Sequence, residues 1–343
     1  MDIISRIADL SLPPFLIAEM SGNHGGELNK ALKLVAAAKE AGADAIKLQT
    51  YRPDTITVEG KDDRFLLKSG LWSGRYLHEL YQDAMTPWEW HKEISEEANK
   101  LGLVCFSSPF DESAVDFLEA TIDPPLYKIA SFEMNHFPML EKIGSTGKPV
   151  LASVGVCQGR DIERAMEVLK KSGCPEIILL HCVSEYPADP KDFCLKSMPL
   201  LREKYGTLFG LSDHSMGHLV AVASTALEAR VIEKHLCLDR EQKSVDGGFS
   251  MLPSEFNELV QAVHTTHSAI SGIEIPLKPA FFKRSILVSS AIQAGERLSP
   301  QNIRVARPGD GLCPSRWTEI LGTHATKDLP VGHPIAEEDF TFE

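Results

Sequence analysis

Eight short apolar runs recur along the first 270 residues of the chain, and segments of helical periodicity separate them. This alternation constrains the fold more than any other feature of the sequence. Continuous runs rich in Ile, Val, Leu and Phe are typical of parallel strands that are buried on both faces. The runs are FLIAEM from Phe15, AIKLQT from Ala45, LVCFSS from Leu103, LYKIAS from Leu126, VLASVG from Val150, IILLHCVS from Ile177, FGLSDHS from Phe209 and VIEKHL from Val231.

The segments between the runs predict amphipathic helices. One segment carries apolar residues at helical spacing from Leu28 and ends at Gly42; another has Thr86 as its predicted N-cap and Pro87 at its first helical position. Eight strands that alternate with helices over about 250 residues are the expected size of a (β/α)8 TIM barrel. A doubly wound open sheet is the alternative, but no G-x-G-x-x-G fingerprint follows the first run.

The overall charge restricts the partners of the chain. The formal net charge is −13 and no block of Lys or Arg stands out, which argues against nucleic acid or an anionic membrane surface as a partner. No run approaches the length of about 18 apolar residues that a membrane span requires, so none is predicted. A small anionic substrate stays compatible with this charge, because a pocket can be locally basic.

The cysteines and the first residues indicate a cytoplasmic protein. The 7 cysteines are odd in number, scattered and without a C-x-x-C motif, a pattern that indicates reduced thiols. The chain begins MDIISRIADLSLPPF, which contains acidic residues and no long apolar core, unlike a secretory signal.

The last part of the chain predicts a small second domain. We expect the barrel to occupy residues 1–270, a linker to follow at 271–284 and the second domain to occupy 285–343. Two segments of this tail, 292–303 and 329–340, both place an apolar residue three and eight positions after a glycine. A domain of about 60 residues has a thin core, so we expect it to lean on another surface.

Polar residues end all of the predicted strands, and two of them are histidines. His214 and His235 end the seventh and eighth runs, and the active sites of such barrels lie at the carboxyl ends of the strands. Neighbouring strands are about 4.8 Å apart, so both imidazoles are expected to reach one ion. Two imidazoles with open positions suit a catalytic metal, and Asp213 and Asp246 are possible carboxylates nearby. The simpler alternative is a pair of satisfied core histidines.

Two lysines, Lys47 and Lys128, end other runs, and serines join them. Converging amines and hydroxyls suit a ligand that carries phosphate and carboxylate groups. Ion pairs with glutamates are one alternative; a Schiff-base aldolase is another, because a desolvated lysine can be a nucleophile. Glu19 is expected to stay ionised between the lysines and to act as a base or a cation stabiliser, unless it forms only a structural salt bridge. Asn23 and His24 either face ligand or shape the loop after the first strand.

The strand-end motifs, taken in order, resemble those of the sialic acid synthase family. They are IAEMSGNHGG, AGADAIKLQT, FSSPFD, YKIAS, GLSDHS and VIEKH. The tail resembles the family's C-terminal antifreeze-like (SAF) domain, with RPGDGLCP near the family's R-P-G-x-G pattern. The resemblance spans nearly the whole chain, and it implies a (β/α)8 barrel followed by a small SAF domain of the β-clip type.

The resemblance implies a condensation of phosphoenolpyruvate with an N-acetylated amino sugar, in which phosphate leaves by C–O cleavage. It implies Glu19 as the catalytic carboxylate and a divalent metal (Mn²⁺, Mg²⁺ or Co²⁺) on His214 and His235. It further implies a domain-swapped homodimer, in which the tail of one protomer caps the barrel of its partner and Arg307 reaches the sugar. The implied substrate-binding residues are Lys47, Gln49, Ser108, Lys128, Ser131, Ser153, Ser184, Tyr186, Ser212, Asp246 and Arg307.

Within the family, residues 70–91 and the motif CVSEYP most resemble the branch that makes pseudaminic acid. The sugar of that branch is 2,4-diacetamido-2,4,6-trideoxy-L-altrose. Synthases of N-acetylneuraminate or legionaminate are the nearest alternatives, and a non-catalytic sugar-binding protein is a further one. An apolar lid would suit the C6 methyl group of a 6-deoxy sugar, and the stretch 70–91 is rich in aromatic residues: Trp72, Tyr76, Tyr81, Trp88 and Trp90.

Overall fold

The computed structural model describes residues 2–240, 244–272 and 281–342, and it contains the predicted barrel of eight parallel strands. The strands are β1 Phe15–Glu19, β2 Ala45–Thr50, β3 Val104–Pro109, β4 Tyr127–Ile129, β5 Val150–Ser153, β6 Ile177–Cys182, β7 Phe209–Asp213 and β8 Val231–His235. Hydrogen bonds order them β3-β2-β1-β8-β7-β6-β5-β4. Since β3 and β4, at the two ends of this order, lie against each other, the sheet closes on itself.

Helices fill the connections between the strands. They are α1 Ile3–Ala8, α2 Leu28–Ala41, α3 Pro53–Ile56, α4 Leu77–Ala84, α5 His91–Lys100, α6 Glu112–Thr121, α7 Phe137–Ser145, α8 Gly159–Ser172, α9 Met198–Tyr205, α10 Leu219–Ala226 and α11 Pro253–Ile270. Helix α2 ends at Gly42, as predicted. Gly42 adopts a φ of 93° and its N–H bonds back to the helix, a left-handed cap for which glycine is the usual residue.

Helix α5 begins later than the sequence predicts. Thr86 is not its N-cap, because the buried Thr86 hydroxyl hydrogen bonds with His24 Nε2 at 3.2 Å. Pro87 precedes a short 3₁₀ turn, and the α-helix starts only at His91. The predicted boundary was wrong because a contact with the loop after β1 takes the hydroxyl that the cap would need.

The interior of the barrel is layered. Side chains alternate between the two faces of a strand, so the residue two positions beyond an inward-facing one also faces the lumen. Ile17 and Ala45 belong to a buried apolar cluster, and Glu19 and Lys47 follow them on the same face. The lumen is therefore an apolar core below and a polar chamber at the carboxyl ends of the strands. The strand residues of the apolar cluster are Phe15, Ile17, Ala45, Phe106, Leu151, Ile178, Leu180 and Val231.

The amino-terminal helix α1 closes the opposite mouth of the barrel. Its Ile7 is fully buried and belongs to the same apolar cluster as Phe15. The buried Arg230, immediately before β8, holds this segment in place. Its guanidinium donates hydrogen bonds to the carbonyl oxygens of Ile7 at 2.8 Å, Asp9 at 2.7 Å and Leu12 at 3.0 Å.

The chain divides into two compact units, Met1–Ile273 and Glu274–Glu343. The predicted linker, 271–284, falls largely on residues 273–280, which lie outside the described residues. Within the ranges that the structure describes, no helix combines the length and the apolar character that a membrane crossing demands.

The second unit is built from short antiparallel pairs. Its elements are β9 Ser285–Val288, β10 Ile303–Ala306, α12 Trp317–Ile320, β11 His324–Ala325 and β12 Phe340–Thr341. β9 pairs with β10, and β11 pairs with β12. This unit has a buried apolar cluster of its own.

The sequence repeat in the tail is also a structural repeat. Ile292 and Leu329, which open the two repeated segments, exchange both backbone hydrogen bonds at 3.0 and 2.8 Å. Each segment then turns at a glycine with positive φ, 81° at Gly295 and 86° at Gly332. The repeated apolar residues all lie in the core of the unit: Leu298, Ile303, Ile335 and Phe340.

Gly210 of β7 leaves no room for a side chain. A Cβ there would lie 2.4 Å from the carbonyl oxygen of Val231 and 2.7 Å from Leu180 Cδ2. We expect Gly210→Ala to lower the free energy of unfolding by about 1–3 kcal/mol, measured as a lower thermal midpoint by circular dichroism. Gly248→Ala is the control, because its Cβ would meet Leu71 at an ordinary 3.5 Å. Equal midpoints for the two variants would contradict this packing.

Candidate active site

The register of the strands brings polar residues to one level of the lumen. Glu19 lies opposite Lys47 on one side and opposite His235 on the other. Ser212 lies opposite Glu233 in the same way. All five side chains are buried, and they sit at the carboxyl ends of the strands, where barrels of this kind carry their active sites.

Glu19 is held by several donors at once. The Lys47 ammonium forms an ion pair with Glu19 Oε2 at 2.5 Å, while Gln49 Nε2 and the Ser21 N–H donate to Glu19 Oε1 at 3.0 and 3.1 Å. Lys47 also donates to Ser108 Oγ at 3.2 Å. The predicted residues of β1, β2 and β3 are thereby joined in one network with a fixed carboxylate at its centre.

Glu233 belongs to this network, although the sequence analysis missed it. Its Oε1 lies 3.6 Å from Lys47 Nζ and 3.9 Å from Lys128 Nζ, and Ser212 Oγ donates to it at 3.4 Å. The signal was present in the sequence, because Glu233 precedes His235 by two positions and so shares its face of β8. Two ammonium groups thus meet two carboxylates inside the barrel.

Burial and charge shift the pKa values of these groups. Burial raises the pKa of Glu19 to about 7, against the opposing effect of the Lys47 charge. Burial alone would lower the pKa of Lys47. The carboxylates of Glu19 and Glu233 outweigh this effect and raise the pKa. Burial lowers the pKa of Lys128 despite the charge of Glu233. Burial thus makes Glu19 a stronger proton acceptor than an exposed carboxylate, which suits acid–base work, whereas the sequence alone predicts a carboxylate that stays ionised between the lysines.

A row of hydroxyl groups adjoins the lysines. Ser131 Oγ and Ser184 Oγ, which follow β4 and β6, hydrogen bond to each other at 2.7 Å. Ser153 ends β5 between those strands, and its buried Oγ has no hydrogen-bond partner among the described residues. A buried hydroxyl without a partner is costly unless a ligand satisfies it. This row follows strands that include β4, which carries Lys128, and such hydroxyl groups are suited to bind an anion.

His214 and His235 lie together, as predicted, with ring centroids 5.5 Å apart. Burial lowers the pKa of His214 to about 4 and that of His235 well below its usual value, so both imidazoles are neutral. His214 Nδ1 donates to the carbonyl oxygen of Val183 at 2.8 Å, which leaves the lone pair on its Nε2. His235 Nδ1 is buried and makes no hydrogen bond within the described part of the chain.

The two histidines fit an open divalent-metal site. Neutral imidazoles with free lone pairs are metal ligands, and a hydrogen bond from the other ring nitrogen to a carbonyl is the usual way to orient one. Across the described ranges, no group of three or more His, Cys, Asp or Glu side chains forms a closed site. The unpartnered Nδ1 of His235 supports a bound ion whose remaining ligands come from substrate or water.

The two candidate carboxylates near the histidines differ in position. Asp246 Oδ2 lies 3.6 Å from His235 Nδ1 and accepts a hydrogen bond from Ser21 Oγ. Burial raises the pKa of Asp246 to about 6. Asp213 is on the opposite face of β7 and pairs with Lys234 at 2.9 Å. The suggestion that Asp213 lies at the metal site was wrong, because strand alternation turns it away from the lumen.

Tyr186 and Trp72 form an aromatic wall above the histidines. The Tyr186 ring lies 4.3 Å from the His214 ring and 5.3 Å from that of Trp72, between centroids. Trp72 Nε1 donates to the carbonyl oxygen of Val245 at 2.8 Å. Phe249 completes the wall at 5.2 Å from Tyr186.

The other aromatic residues of 70–91 have structural contacts elsewhere. Tyr81 packs on Tyr51, Trp88 on Phe117, Trp90 on His24, and the Tyr76 ring lies beneath the Lys61 ammonium. The loop after β1 is likewise satisfied internally. Asn23 Nδ2 donates to the Leu236 carbonyl oxygen and to Ser250 Oγ, so Asn23 and His24 shape the loop.

Arg307 belongs to the second unit. It follows β10, its side chain is exposed, and its Nε donates to the carbonyl oxygen of Phe282 at 2.5 Å. Phe282 and Phe281 are both exposed, with ring centroids 5.4 Å apart. The second unit thus presents a guanidinium beside an exposed aromatic pair.

Comparisons with known proteins match both parts of the chain. Residues 34–274 match the NeuB family and residues 283–341 match the SAF domain. The chain is 43% identical over 331 residues to a pseudaminic acid synthase of Campylobacter jejuni. The alignment covers 95% of this chain and 96% of that protein. It is also 41% identical over 333 residues to a pseudaminic acid synthase of Helicobacter pylori, in an alignment that covers 95% of this chain and 98% of that protein.

A solved structure agrees with these matches. The crystal structure of an N-acetylneuraminic acid (sialic acid) synthetase from Leptospira borgpetersenii, in complex with citrate, aligns with a TM-score of 0.69 at 31% identity. The alignment covers 78% of this chain and 88% of that one.

Glu233 balances the charge of two buried ammonium groups. We expect Glu233→Gln to lower the free energy of unfolding of the ligand-free, chelator-treated protein by about 3 kcal/mol, because it leaves buried positive charge uncompensated. Thermal unfolding followed by circular dichroism measures the effect. Glu228→Gln, at a 60% exposed side chain that pairs with Arg202, is the control and should change stability by less than about 0.5 kcal/mol. A Glu233→Gln midpoint equal to that of the control would show that the lysines do not depend on Glu233.

Proposed function

The chain belongs to the NeuB family, and from that membership we propose that it is a pseudaminic acid synthase. Its substrates are phosphoenolpyruvate, 2,4-diacetamido-2,4,6-trideoxy-L-altrose and water, and its products are pseudaminic acid and inorganic phosphate. The observation that carries the proposal is the polar chamber of the barrel, in which two buried lysines, two buried glutamates and a row of serines converge.

Phosphoenolpyruvate binds against the lysines and the serine row. Lys47 and Lys128 supply positive charge in a site from which water is largely excluded, where charge-assisted hydrogen bonds to phosphate and carboxylate are strong. The unpartnered hydroxyl of Ser153 supports this placement, since a phosphate oxygen would satisfy it. The other residues that serve phosphoenolpyruvate are Ser131 and Ser212, while Ser108 and Ser184 lie near the substrates and the metal.

The reaction joins C3 of phosphoenolpyruvate to the aldehyde carbon of the open-chain sugar. The aldehyde oxygen takes up a proton and becomes a hydroxyl group, while positive charge develops at C2. Water adds to C2 and gives up a proton, and phosphate then leaves with cleavage of its C–O bond. Glu19 receives the proton of the water, a role that its raised pKa suits, or its ionised form stabilises the cation.

His214 and His235 are the residues that would hold a divalent metal such as Mn²⁺, Mg²⁺ or Co²⁺. When bound, the metal supplies Lewis-acid polarisation of the sugar's aldehyde oxygen. Asp246 lies beside His235 and helps to orient the sugar or the metal. Gln49 keeps the Glu19 carboxylate in position through its hydrogen bond.

The sugar binds above the histidines, against Tyr186 and Trp72. Aromatic faces pack well on C–H and methyl groups, so this wall suits the C6 methyl of a 6-deoxy sugar.

The free thiols support a reducing compartment, because all 7 cysteines are unpaired, and we place the reaction in the cytoplasm.

The active enzyme is a domain-swapped homodimer, in which the second unit of one protomer caps the barrel of its partner. Two separate observations support this proposal. Exposed apolar side chains follow the barrel strands at the open mouth: Phe132, Val156, Met216 and Leu219. In the second unit, Phe281 and Phe282 are exposed beside Arg307, and apolar groups exposed in this way favour a partner surface.

Substrate choice tests the assignment. We expect the 6-deoxy diacetamido sugar to release phosphate from phosphoenolpyruvate with a higher kcat/KM than N-acetylmannosamine, whose 6-hydroxyl would lose hydrogen bonds against the aromatic wall. A phosphate-release assay over a panel of N-acetylated hexoses measures this. N-acetylmannosamine turned over equally well or better would place the enzyme with the N-acetylneuraminate synthases.

Mixed dimers test the mechanism and the assembly together. We expect Glu19→Gln and Arg307→Ala each to lower kcat/KM of the homodimer by about 10²-fold or more. Co-expressed with different affinity tags, the two variants form mixed dimers. One site of a mixed dimer then contains both wild-type residues, because its Glu19 and its Arg307 come from different chains. Activity should return only in the doubly tagged species.

A mixed dimer no more active than either parent would overturn the swapped arrangement. The matched control is a dimer of two Arg307→Ala chains that carry different affinity tags, so both of its sites lack the guanidinium. Its activity should stay at the level of the single-tag Arg307→Ala homodimer.

A further inference from the structure

An ion pair that faces away from the lumen joins the two strands that carry the histidines. Asp213 ends β7 and Lys234 lies near the end of β8, and the two residues are direct cross-strand partners. Lys234 Nζ is 2.9 Å from Asp213 Oδ2, and the side chains are 2% and 0% exposed. The pair lies between the sheet and its outer layer, because Ser212 and Glu233, one residue earlier on each strand, face the lumen.

The position of this pair in the register links it to the proposed metal site. Asp213 immediately precedes His214, and Lys234 immediately precedes His235. In a sheet, a shift of one residue turns every side chain to the other face. A contact that fixes Asp213 opposite Lys234 therefore fixes which faces His214 and His235 present and how far apart they lie.

A third residue closes the arrangement at the strand end. The Ser215 N–H and Oγ both donate to Asp213 Oδ1, at 2.8 and 2.7 Å, and Lys234 Nζ donates to the Ser215 carbonyl oxygen at 2.6 Å. His214 lies between Asp213 and Ser215, so its backbone is held on both sides. Its own carbonyl oxygen accepts from the Ala188 N–H at 3.0 Å.

Buried ion pairs are a poor source of stability, because the cost of removing two charges from water offsets much of their attraction. Apolar side chains of similar volume would serve stability equally well in this layer. The best-attested use of a buried polar pair is to select one register among alternatives. That use fits a place where two ligands on neighbouring strands have to meet one ion.

We propose that Asp213 and Lys234 are positioning residues, whose buried cross-strand ion pair sets the separation of His214 and His235 and thereby the metal affinity. The inference rests on the proposed metal role of the two histidines. Neither Asp213 nor Lys234 touches the metal or the substrates.

The test measures Mn²⁺ binding to the full-length, chelator-treated protein by electron paramagnetic resonance of the free ion. In Asp213→Asn/Lys234→Met, both charges are removed at nearly constant volume, and the asparagine oxygen can still accept from Ser215. We expect this variant to fold and to bind Mn²⁺ about tenfold or more weakly, the loss typical of residues that orient metal ligands. Lys234→Arg keeps the charge and should retain most of the affinity.

Arg230→Met is the matched control. It removes another buried cation beside β8, at the end remote from the histidines. We expect it to lower the thermal midpoint and to leave Mn²⁺ affinity unchanged. If Arg230→Met weakened Mn²⁺ binding as much as the double variant does, the effect would be one of general stability and the inference would be overturned.

His214→Ala separates the inference from the proposed function. If His214→Ala binds Mn²⁺ as the wild type does, the metal role fails and the inference fails with it. If His214→Ala loses the ion while Asp213→Asn/Lys234→Met keeps wild-type affinity, the metal role stands and the inference alone is overturned. Should the double variant not fold, Asp213→Asn alone decides the question, since weaker Mn²⁺ binding supports the inference and unchanged binding rejects it.

Discussion

The confinement of four charged side chains inside the barrel is the constraint on which the rest of the site depends. Lys47 and Lys128 have to be balanced by Glu19 and Glu233, because an isolated charge in a packed interior costs more than the fold can supply. Glu19 ties the network to β1 and β2, and Glu233 ties it to β8 and β4. The serines complete the hydrogen bonding of this layer, and the ring of strands keeps all of these groups at one height. The two ammonium groups are thereby held where the oxygens of an anionic ligand would be attracted to them.

The layering of the barrel gives this constraint a structural basis. Large aliphatic and aromatic residues fill the lower lumen, so the strands cannot collapse around the polar chamber. The strands that carry Glu19 and Lys47 begin with Phe15 and Ala45, which belong to the apolar core. Strand period and strand register, rather than loop conformation, therefore set the distances between the polar groups of the chamber. The parts of the molecule that loops do supply, such as the Trp72–Tyr186 wall, surround the chamber rather than form its floor.

Much of this arrangement follows from the sequence, and the exceptions have physical causes. The apolar runs locate the strands, and the carboxyl-end rule leads directly to Glu19, Lys47, His214 and His235. Glu233 escaped notice because it lies inside an apolar run rather than at its end, although its two-residue spacing from His235 gives its direction. Asp213 is adjacent to His214 in the chain, but strand alternation places it on the outer face of β7, where it pairs with Lys234. The predicted start of helix α5 was wrong because the Thr86 hydroxyl hydrogen bonds with His24, which is distant in the sequence. Tertiary contacts of this kind leave no local pattern in a sequence.

The plug formed by helix α1 makes the barrel a tube that is closed at one end. Ile7 packs beneath the apolar layer of the lumen, and Arg230 ties helix α1 to the start of β8. Among the described residues, these groups close the barrel below the polar chamber. A chamber with one opening constrains two ligands that bind one above the other, because the upper ligand blocks the path of the lower one. The apolar layer of the lumen and helix α1 beneath it therefore leave the polar chamber with its opening at the carboxyl ends of the strands.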